Sequence, residues 1–112
     1  MQVKNIIPEL ELTIVAGQEN LGLNITGGYA SDLLSNVMGQ AQAGNVWVTM
    51  QGHQNIVAVA SLSNLAAVIV AGGSEIDGDS VKKAEKEGIV LCKTNLSSFE
   101  AVGRLFKLGV KG

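Results

Sequence analysis

The chain has 112 residues, of which 46% are hydrophobic and 4% aromatic, and its formal net charge is -2. This length suits one domain with one sizeable core, which must be built mainly from aliphatic side chains. A charge near neutrality without a basic stripe argues against nucleic-acid binding, since neutralising phosphates supplies most of the affinity of such proteins.

The first quarter of the chain predicts a helix, a strand and a turn. Apolar residues at helical spacing indicate a helix over residues 3–10, which Pro8 should shorten or kink. Residues 12–16 alternate as a strand does, and Gly17 closes them. Residues 18–24 are polar and predict a turn.

A double glycine lies in the next element. Residues 25–30 predict an extended segment containing Gly27 and Gly28, and it leads into a helix that Ser31 or Asp32 should cap. The inward face of this helix is predicted to hold Leu33, Leu34, Val37, Met38 and Ala41. Tight backbone turns beside polar side chains often carry contacts, so this motif is a candidate contact surface.

From residue 46 onward, strands and helices alternate. The predicted strands are 46–50, 65–71 and 89–93, and the predicted helices are 56–62, a charged helix from Asp79 or Ser80 to Gly88, and a last helix ending at Gly109. Strands about 22 residues apart fit right-handed βαβ units. We therefore predict a single three-layer α/β/α domain over residues 1–112, with a mostly parallel sheet of about five strands.

Two of these helices carry cap signals. Asn55 is expected to cap the helix over 56–62, and Ser97 with Glu100 matches a capping box for the last helix. The apolar side of the last helix is predicted to hold Val102, Leu105 and Phe106.

Polar residues follow the predicted strands at their carboxyl ends, the edge where open α/β sheets bind ligands. They are Thr49, Gln51, His53, Gln54 and Asn55, then Gly72, Gly73 and Ser74, then Thr94 and Asn95. Each loop enters a helix N-terminus, which favours anions. If the Thr26-Gly27-Gly28 turn reaches this edge, a small polar or anionic ligand has a cradle. The alternative, which we favour, is that these residues only cap helices and fill turns.

No catalytic, metal or cofactor site is predicted. His53 is the only histidine, and neither a nucleophile with an acid nor further metal ligands are placed around it. Gly72-Gly73 lacks the spacing of a phosphate loop. Cys92, the only cysteine, lies in an apolar run and is predicted to be a buried thiol. Without a signal-like, membrane-spanning or basic amphipathic stretch, we expect a cytoplasmic protein that binds no membrane.

Several segments along the chain share the pattern of one known family. They are Thr26-Gly27-Gly28-Tyr29, Ser31-Asp32-Leu33-Leu34-Ser35 with Val37-Met38, Gly44-Asn45-Val46-Trp47-Val48-Thr49, His53 with Asn55-Ile56-Val57-Ala58-Val59-Ala60, and Gly72-Gly73. Together they resemble the DRTGG domain over essentially the whole chain. The Asp-Arg pair that gives the family its name would fall at Gly22-Leu23, and neither residue is kept, so no role of that pair carries over.

The resemblance implies an α/β/α domain similar to the N-terminal domain of HPr kinase/phosphorylase. Kinase activity there belongs to a separate domain with a phosphate loop, which this sequence lacks. DRTGG domains also occur beside CBS domains in regulatory pyrophosphatases, as regulatory or dimer-forming modules. Stand-alone members are often encoded near iron-only hydrogenase and signalling genes, which implies an accessory role.

Two functions are therefore expected. The first is a non-catalytic regulatory module that forms a homodimer, with the helix over 32–41 as contact surface, and that binds a partner protein or a small ligand. The alternative is a nucleotide- or anion-binding sensor that uses the strand-end loops. The candidate site residues are Thr26, Gly27, Gly28, Tyr29, Ser31, Asp32, Thr49, His53, Asn55, Gly72, Gly73 and Thr94. Tyr29 is expected either to staple the following helix or to line a contact surface.

Overall fold

Strands and helices alternate along the chain in the predicted order. The computed structural model describes residues 1–53 and 55–112. Its elements are α1 (Val3–Ile6), β1 (Thr13–Ala16), a 3₁₀ turn (Gln18–Asn20), β2 (Gly27–Ala30), α2 (Leu34–Gln40), β3 (Asn45–Thr49), α3 (Asn55–Leu62), β4 (Ala67–Val70), α4 (Gly78–Glu87), β5 (Leu91–Lys93) and α5 (Ser98–Lys107).

The five strands form one sheet in the order β1-β5-β4-β3-β2. Strands β2 to β5 run parallel, with Tyr29 opposite Trp47 and Trp47 opposite Val68. Strand β1 runs antiparallel against β5 and places Thr13 opposite Lys93. The predicted fold class, an α/β domain with a mostly parallel sheet of five strands between helical layers, is confirmed.

Helices cover both faces of this sheet. Right-handed crossovers that advance in one direction place their helices on one face, and α2, α3 and α4 pack there. The core on this side includes Val37, Trp47, Ile56, Val68 and Ala84. The core on the opposite side, under α1 and α5, includes Val3, Ile6, Val46, Ile69 and Leu105. Strands β3 and β4 are consequently buried along their whole length, as their continuous apolar runs indicate.

The start of α2 differs from the prediction. Its N-cap is Leu33, which makes no side-chain cap hydrogen bond. The hydroxyl of Ser31 accepts from the backbone N–H of Leu33 at 3.1 Å. The carboxylate of Asp32 binds the end of β3 instead of the helix. Neither residue caps α2, because Ser31 is hydrogen-bonded within the turn before the helix and Asp32 is hydrogen-bonded to the end of β3.

The start of α4 also differs. Its N-cap is Asp77 rather than Asp79 or Ser80. Ser80 is fully buried and donates to the carbonyl of Gly52 at 2.9 Å, so its hydroxyl joins the helix to the loop after β3. The predicted end at Gly88 is confirmed, since this residue adopts a left-handed conformation with φ 70°.

Of the two predicted caps further along, the capping box of Ser97 with Glu100 is confirmed only for Ser97. The hydroxyl of Ser97 accepts from the backbone N–H of Glu100 at 3.1 Å and caps α5. The carboxylate of Glu100 pairs with Arg104. Asn55 already lies within helix α3 (Asn55–Leu62), so it is not the cap. The preceding residue, Gln54, lies outside the described residues.

The inward faces of two helices are narrower than predicted. On α2, Val37 is buried, but Leu33 and Met38 are 64% and 53% exposed. On α5, Leu105 is buried, but Phe106 is 60% exposed. Both helices lie at the outer part of the sheet near β2, and among residues 1–53 and 55–112 no further layer covers their remaining apolar side chains.

No helix in the described part of the chain combines the length and the hydrophobicity needed to cross a bilayer.

Cys92 is fully buried, as predicted, and desolvation raises the pKa of its thiol from 9.0 to about 12. The core accommodates only the neutral thiol. Below pH 9 the thiol is neutral in both the folded and the unfolded chain, so the folded state is not penalised. As the pH rises from 9 towards 12 the thiol ionises only in the unfolded chain, which lowers the stability of the folded protein. We expect urea unfolding monitored by circular dichroism to show decreasing stability above pH 9. The stability of Cys92→Ala should decrease less steeply over this range. Parallel decreases in the wild type and the variant would contradict the role given to the Cys92 thiol.

Candidate functional site

The Thr26-Gly27-Gly28 motif lies at the amino end of β2, away from the strand-end loops. The hydroxyl of Thr26 donates to the carbonyl of Ala43 at 2.7 Å and accepts from the side-chain amide of Asn45 at 3.2 Å. The condition for a ligand cradle, that this turn reaches the carboxyl edge of the sheet, is therefore not met. The motif joins the start of β2 to the start of β3.

The two glycines allow the C-terminal segment to lie against β2. The backbone N–H of Gly28 donates to the carbonyl of Lys111 at 2.9 Å. A side chain at Gly27 would place its Cβ 2.7 Å from the same carbonyl oxygen, closer than real Cβ contacts occur. The motif is thus explained by close backbone approach.

Tyr29 and Trp47 connect β2 and β3 to α2 and its preceding turn. The hydroxyl of Tyr29 donates to the side-chain carbonyl of Asn36 in α2 at 2.6 Å. Trp47 is fully buried, and its indole N–H donates to the carbonyl of Ser31 at 2.9 Å. Tyr29 therefore staples the helix, the first of its two predicted roles, and it also lines an apolar cavity between β2 and the last helix.

Asp32 and Thr49 meet at the carboxyl end of β3. The hydroxyl of Thr49 donates to the carboxylate of Asp32 at 2.8 Å, and the backbone N–H of Met50 donates to the same oxygen at 2.7 Å. The carboxylate of Asp32 thus joins the turn before α2 to the end of β3. Asp32 and Thr49, both predicted site residues, have a structural role there.

The loops after β4 and β5 are bonded to each other. The backbone N–H of Gly72 donates to the carbonyl of Leu96 at 2.7 Å, and that of Gly73 donates to the carbonyl of Thr94 at 3.0 Å. The hydroxyl of Thr94 donates to the carbonyl of Leu10 at 2.9 Å. The donors predicted for an anion are thus already engaged within the protein.

His53 lies exposed in the loop before α3. Its Nδ1 accepts from the backbone N–H of Asn55 at 3.5 Å, and its carbonyl accepts from Ile56 at 3.1 Å. Among the residues that the structure describes, no carboxylate is hydrogen-bonded to His53, and no three His, Cys, Asp or Glu side chains are grouped to hold a metal. The geometry offers His53 no catalytic partner within this part of the chain.

A cavity of about 370 Å³ opens beside the loops after β4 and β5, and we call it the strand-end cavity. Its polar lining includes Thr13, Ser74, Glu75, Lys93 and Asn95. Of the predicted site residues, only Gly73 and Thr94 line it. Thr13 and Lys93 were missed because the antiparallel pairing of β1 with β5 brings them together, and no local pattern in the sequence reports that pairing.

A second, apolar cavity of about 270 Å³ lies between α5 and β2, and we call it the edge groove. Its lining includes Gly28, Ala30, Val102, Phe106 and Val110. The groove exists because Gly28 and Ala30 present almost no side chain on the face that α5 covers. Sequence reasoning assigned Val102 and Phe106 to the core, where apolar side chains at helical spacing normally belong.

Within the part of the chain that the structure describes, strand β2 has β3 as its only sheet neighbour. Because alternate residues direct their backbone groups to opposite sides of a parallel strand, Gly28 and Ala30 face the outside of the sheet. The carbonyl of Lys111 accepts a hydrogen bond from the backbone N–H of Gly28. The backbone of Ala30 lies further along β2, past this hydrogen bond. The edge groove therefore adjoins an open part of the sheet edge.

No protein-family model matches the sequence, and no curated protein matches it. Among solved structures, the chain is similar to the CBS and DRTGG domains of the regulatory region of Clostridium perfringens pyrophosphatase, complexed with the activator diadenosine tetraphosphate. The TM-score is 0.75 at 18% identity, and the match covers 93% of this chain and 45% of that chain. The chain thus matches less than half of that structure.

This likeness establishes a shared fold. The resemblance to the DRTGG domain and the similarity to the N-terminal domain of HPr kinase/phosphorylase stay predictions.

Proposed function

We propose that this chain is a non-catalytic regulatory domain that forms a homodimer through the surface around β2. The observation that carries the proposal is the edge groove, an apolar cavity beside an edge strand whose outer side is only partly covered. The shared fold with a regulatory region of a pyrophosphatase supports the regulatory part of the proposal.

Exposed apolar side chains flank the β2 edge in both helical layers. Leu33 and Met38 are exposed on the α2 side, and Val102 and Phe106 are exposed on the α5 side. Monomeric soluble proteins rarely keep large apolar patches in water. The helix over 32–41, predicted as the contact surface, therefore forms one half of the proposed interface, and α5 forms the other.

A second copy is the occupant that this surface suits. In a two-fold dimer the same patch meets itself, so one surface that combines an open strand edge with apolar flanks provides both halves of the interface. Pairing of edge strands also satisfies backbone groups that water otherwise covers. Dimerisation of this kind requires no catalytic residues.

Phe106→Glu should weaken dimerisation at least about tenfold, or ~1.4 kcal/mol, because it removes a large apolar side chain from the interface and places an unpaired charge there. Sedimentation equilibrium over the micromolar range measures the effect. Leu62→Glu is the matched control, since Leu62 is 72% exposed at the end of α3 and does not line the groove. The wild-type chain and the control should dimerise alike. A monomeric wild-type chain, or equal loss in both variants, would contradict the proposal.

A nucleotide- or anion-binding sensor is the second candidate, and the strand-end cavity favours it. The backbone donors of Gly72 and Gly73 are engaged, so Lys93, Ser74 and Asn95 would have to hold the anion. A thermal shift of the whole chain with ATP, AMP or inorganic phosphate would support this candidate. No shift at millimolar concentration would remove it.

A further inference from the structure

The strand-end cavity lies where two loops diverge. The loop after β4 leads to α4 on one face of the sheet, and the loop after β5 leads to α5 on the other. Such divergence creates the crevice in which open α/β sheets bind ligands. Its volume of about 370 Å³ falls within the range of small-molecule sites.

Two opposite charges line this cavity without pairing with each other. Lys93 and Glu75 both contribute to the lining, and no ion pair joins them in the described part of the chain. The third charged residue, Glu11, pairs with Arg104 at 3.0 Å. Lys93 and Glu75 are both exposed, and neither has an ion-pair partner among the described residues.

The remaining lining is divided between polar and apolar side chains. Thr13, Ser74 and Asn95 supply hydroxyl and amide groups. Val15, Ile76 and Val81 are half-buried and supply an apolar surface in the same cavity. A ligand that fits both parts has hydrogen-bonding ends and an aliphatic body.

We propose that the strand-end cavity binds a small zwitterion of the aliphatic amino-acid class. Its carboxylate pairs with Lys93, its ammonium group pairs with Glu75, and its side chain contacts Val15, Ile76 and Val81. A simple anion can pair only with Lys93, and a simple cation can pair only with Glu75. Only a dipolar ligand matches both charges. This inference goes beyond dimerisation and does not depend on it.

The test is a thermal-shift and calorimetric titration of the full chain with L-valine, L-leucine, L-isoleucine and L-methionine. We expect at least one of them to stabilise the protein, by about 2.7 kcal/mol at 100 times its Kd. For leucine, the analogue lacking the ammonium group is 4-methylpentanoate, and the analogue lacking the carboxylate is 3-methylbutylamine. Both analogues of a binding amino acid should bind at least about tenfold more weakly, because each lacks one charge pair.

Variants locate the site. Lys93→Met and Glu75→Gln should each weaken amino-acid binding at least about tenfold, because each leaves one ligand charge unpaired. Lys82→Met and Glu85→Gln on the exposed side of α4 are matched controls and should bind as the wild type does. Failure of all four amino acids to bind at millimolar concentration, equal binding of the carboxylate analogue, or unchanged binding by the two cavity variants would overturn the inference. Sedimentation of the same samples reports dimerisation separately.

Discussion

Replacing Trp47 with alanine should lower the free energy of unfolding by about 3–5 kcal/mol, the range typical of large-to-small substitutions in a well-packed core. Trp47 is the largest fully buried side chain and lies on β3, between β4 and the edge strand β2. Its removal leaves a cavity under α2 and α3 and deprives the carbonyl of Ser31 of its donor. Urea unfolding must be followed by far-ultraviolet circular dichroism, since Trp47 is the only tryptophan.

Trp47→Phe separates packing from hydrogen bonding. A phenyl ring keeps most of the buried apolar area but cannot donate to Ser31, so we expect a loss of about 1–3 kcal/mol. A loss under 1 kcal/mol for Trp47→Ala would show that β3 does not organise the core on this face. Equal losses for the two variants would assign the whole effect to the hydrogen bond.

Gly17→Ala should destabilise the chain by about 3 kcal/mol, the combined effect of a left-handed backbone and an overpacked contact. Gly17 follows β1 with φ 79° and is buried. An alanine Cβ would overlap the carbonyl of Ile89 and lie 2.6 Å from the Cα of Val90. Both neighbours are backbone atoms just before β5, so a side-chain rotation cannot relieve the overlap.

Gly22→Ala is the matched control for this substitution. Gly22 lies in the turn before β2, its φ is not in the left-handed region, and a Cβ there would meet no atom within 4 Å. We expect its stability to change by less than ~0.5 kcal/mol, as for ordinary surface substitutions. Comparable urea midpoints for the two variants would contradict the close approach of β1 and β5.

The order and type of the elements could be predicted because their periodicities are strong. The continuous apolar run over 65–71 identified a strand covered on both faces, and β4 is buried throughout. Ser97, Gly88 and Cys92 behaved as local chemistry indicates. In each case a single segment contains the whole signal.

Predictions that depend on distant partners were less successful. Ser80 matches a helix cap in sequence, but its hydroxyl binds Gly52, which is 28 residues away. Asp32 likewise binds the end of β3 and not its own helix. Tertiary hydrogen bonds compete with local caps for the same side chain, and the sequence alone does not rank them.

At the candidate sites too, the features that depend on residues far apart in sequence were not predicted. Gly27 and Gly28 were predicted to belong to a contact surface, whereas in the structure they lie in β2 and the C-terminal segment packs against them. Lys93 and Thr13 lie far apart in sequence and meet only through strand pairing. Phe106 fits a core pattern and yet borders an open groove, because α5 covers only the outer part of the sheet.

Hydrogen exchange measured by mass spectrometry at low and high micromolar concentration tests the proposed dimer most directly. If two copies meet at the β2 edge, residues 27–33 and 99–107 should exchange more slowly at the higher concentration, while residues 13–16 of the opposite edge strand should not change. Exchange that is independent of concentration in all three segments, or slowing confined to residues 13–16, would contradict dimerisation through this surface.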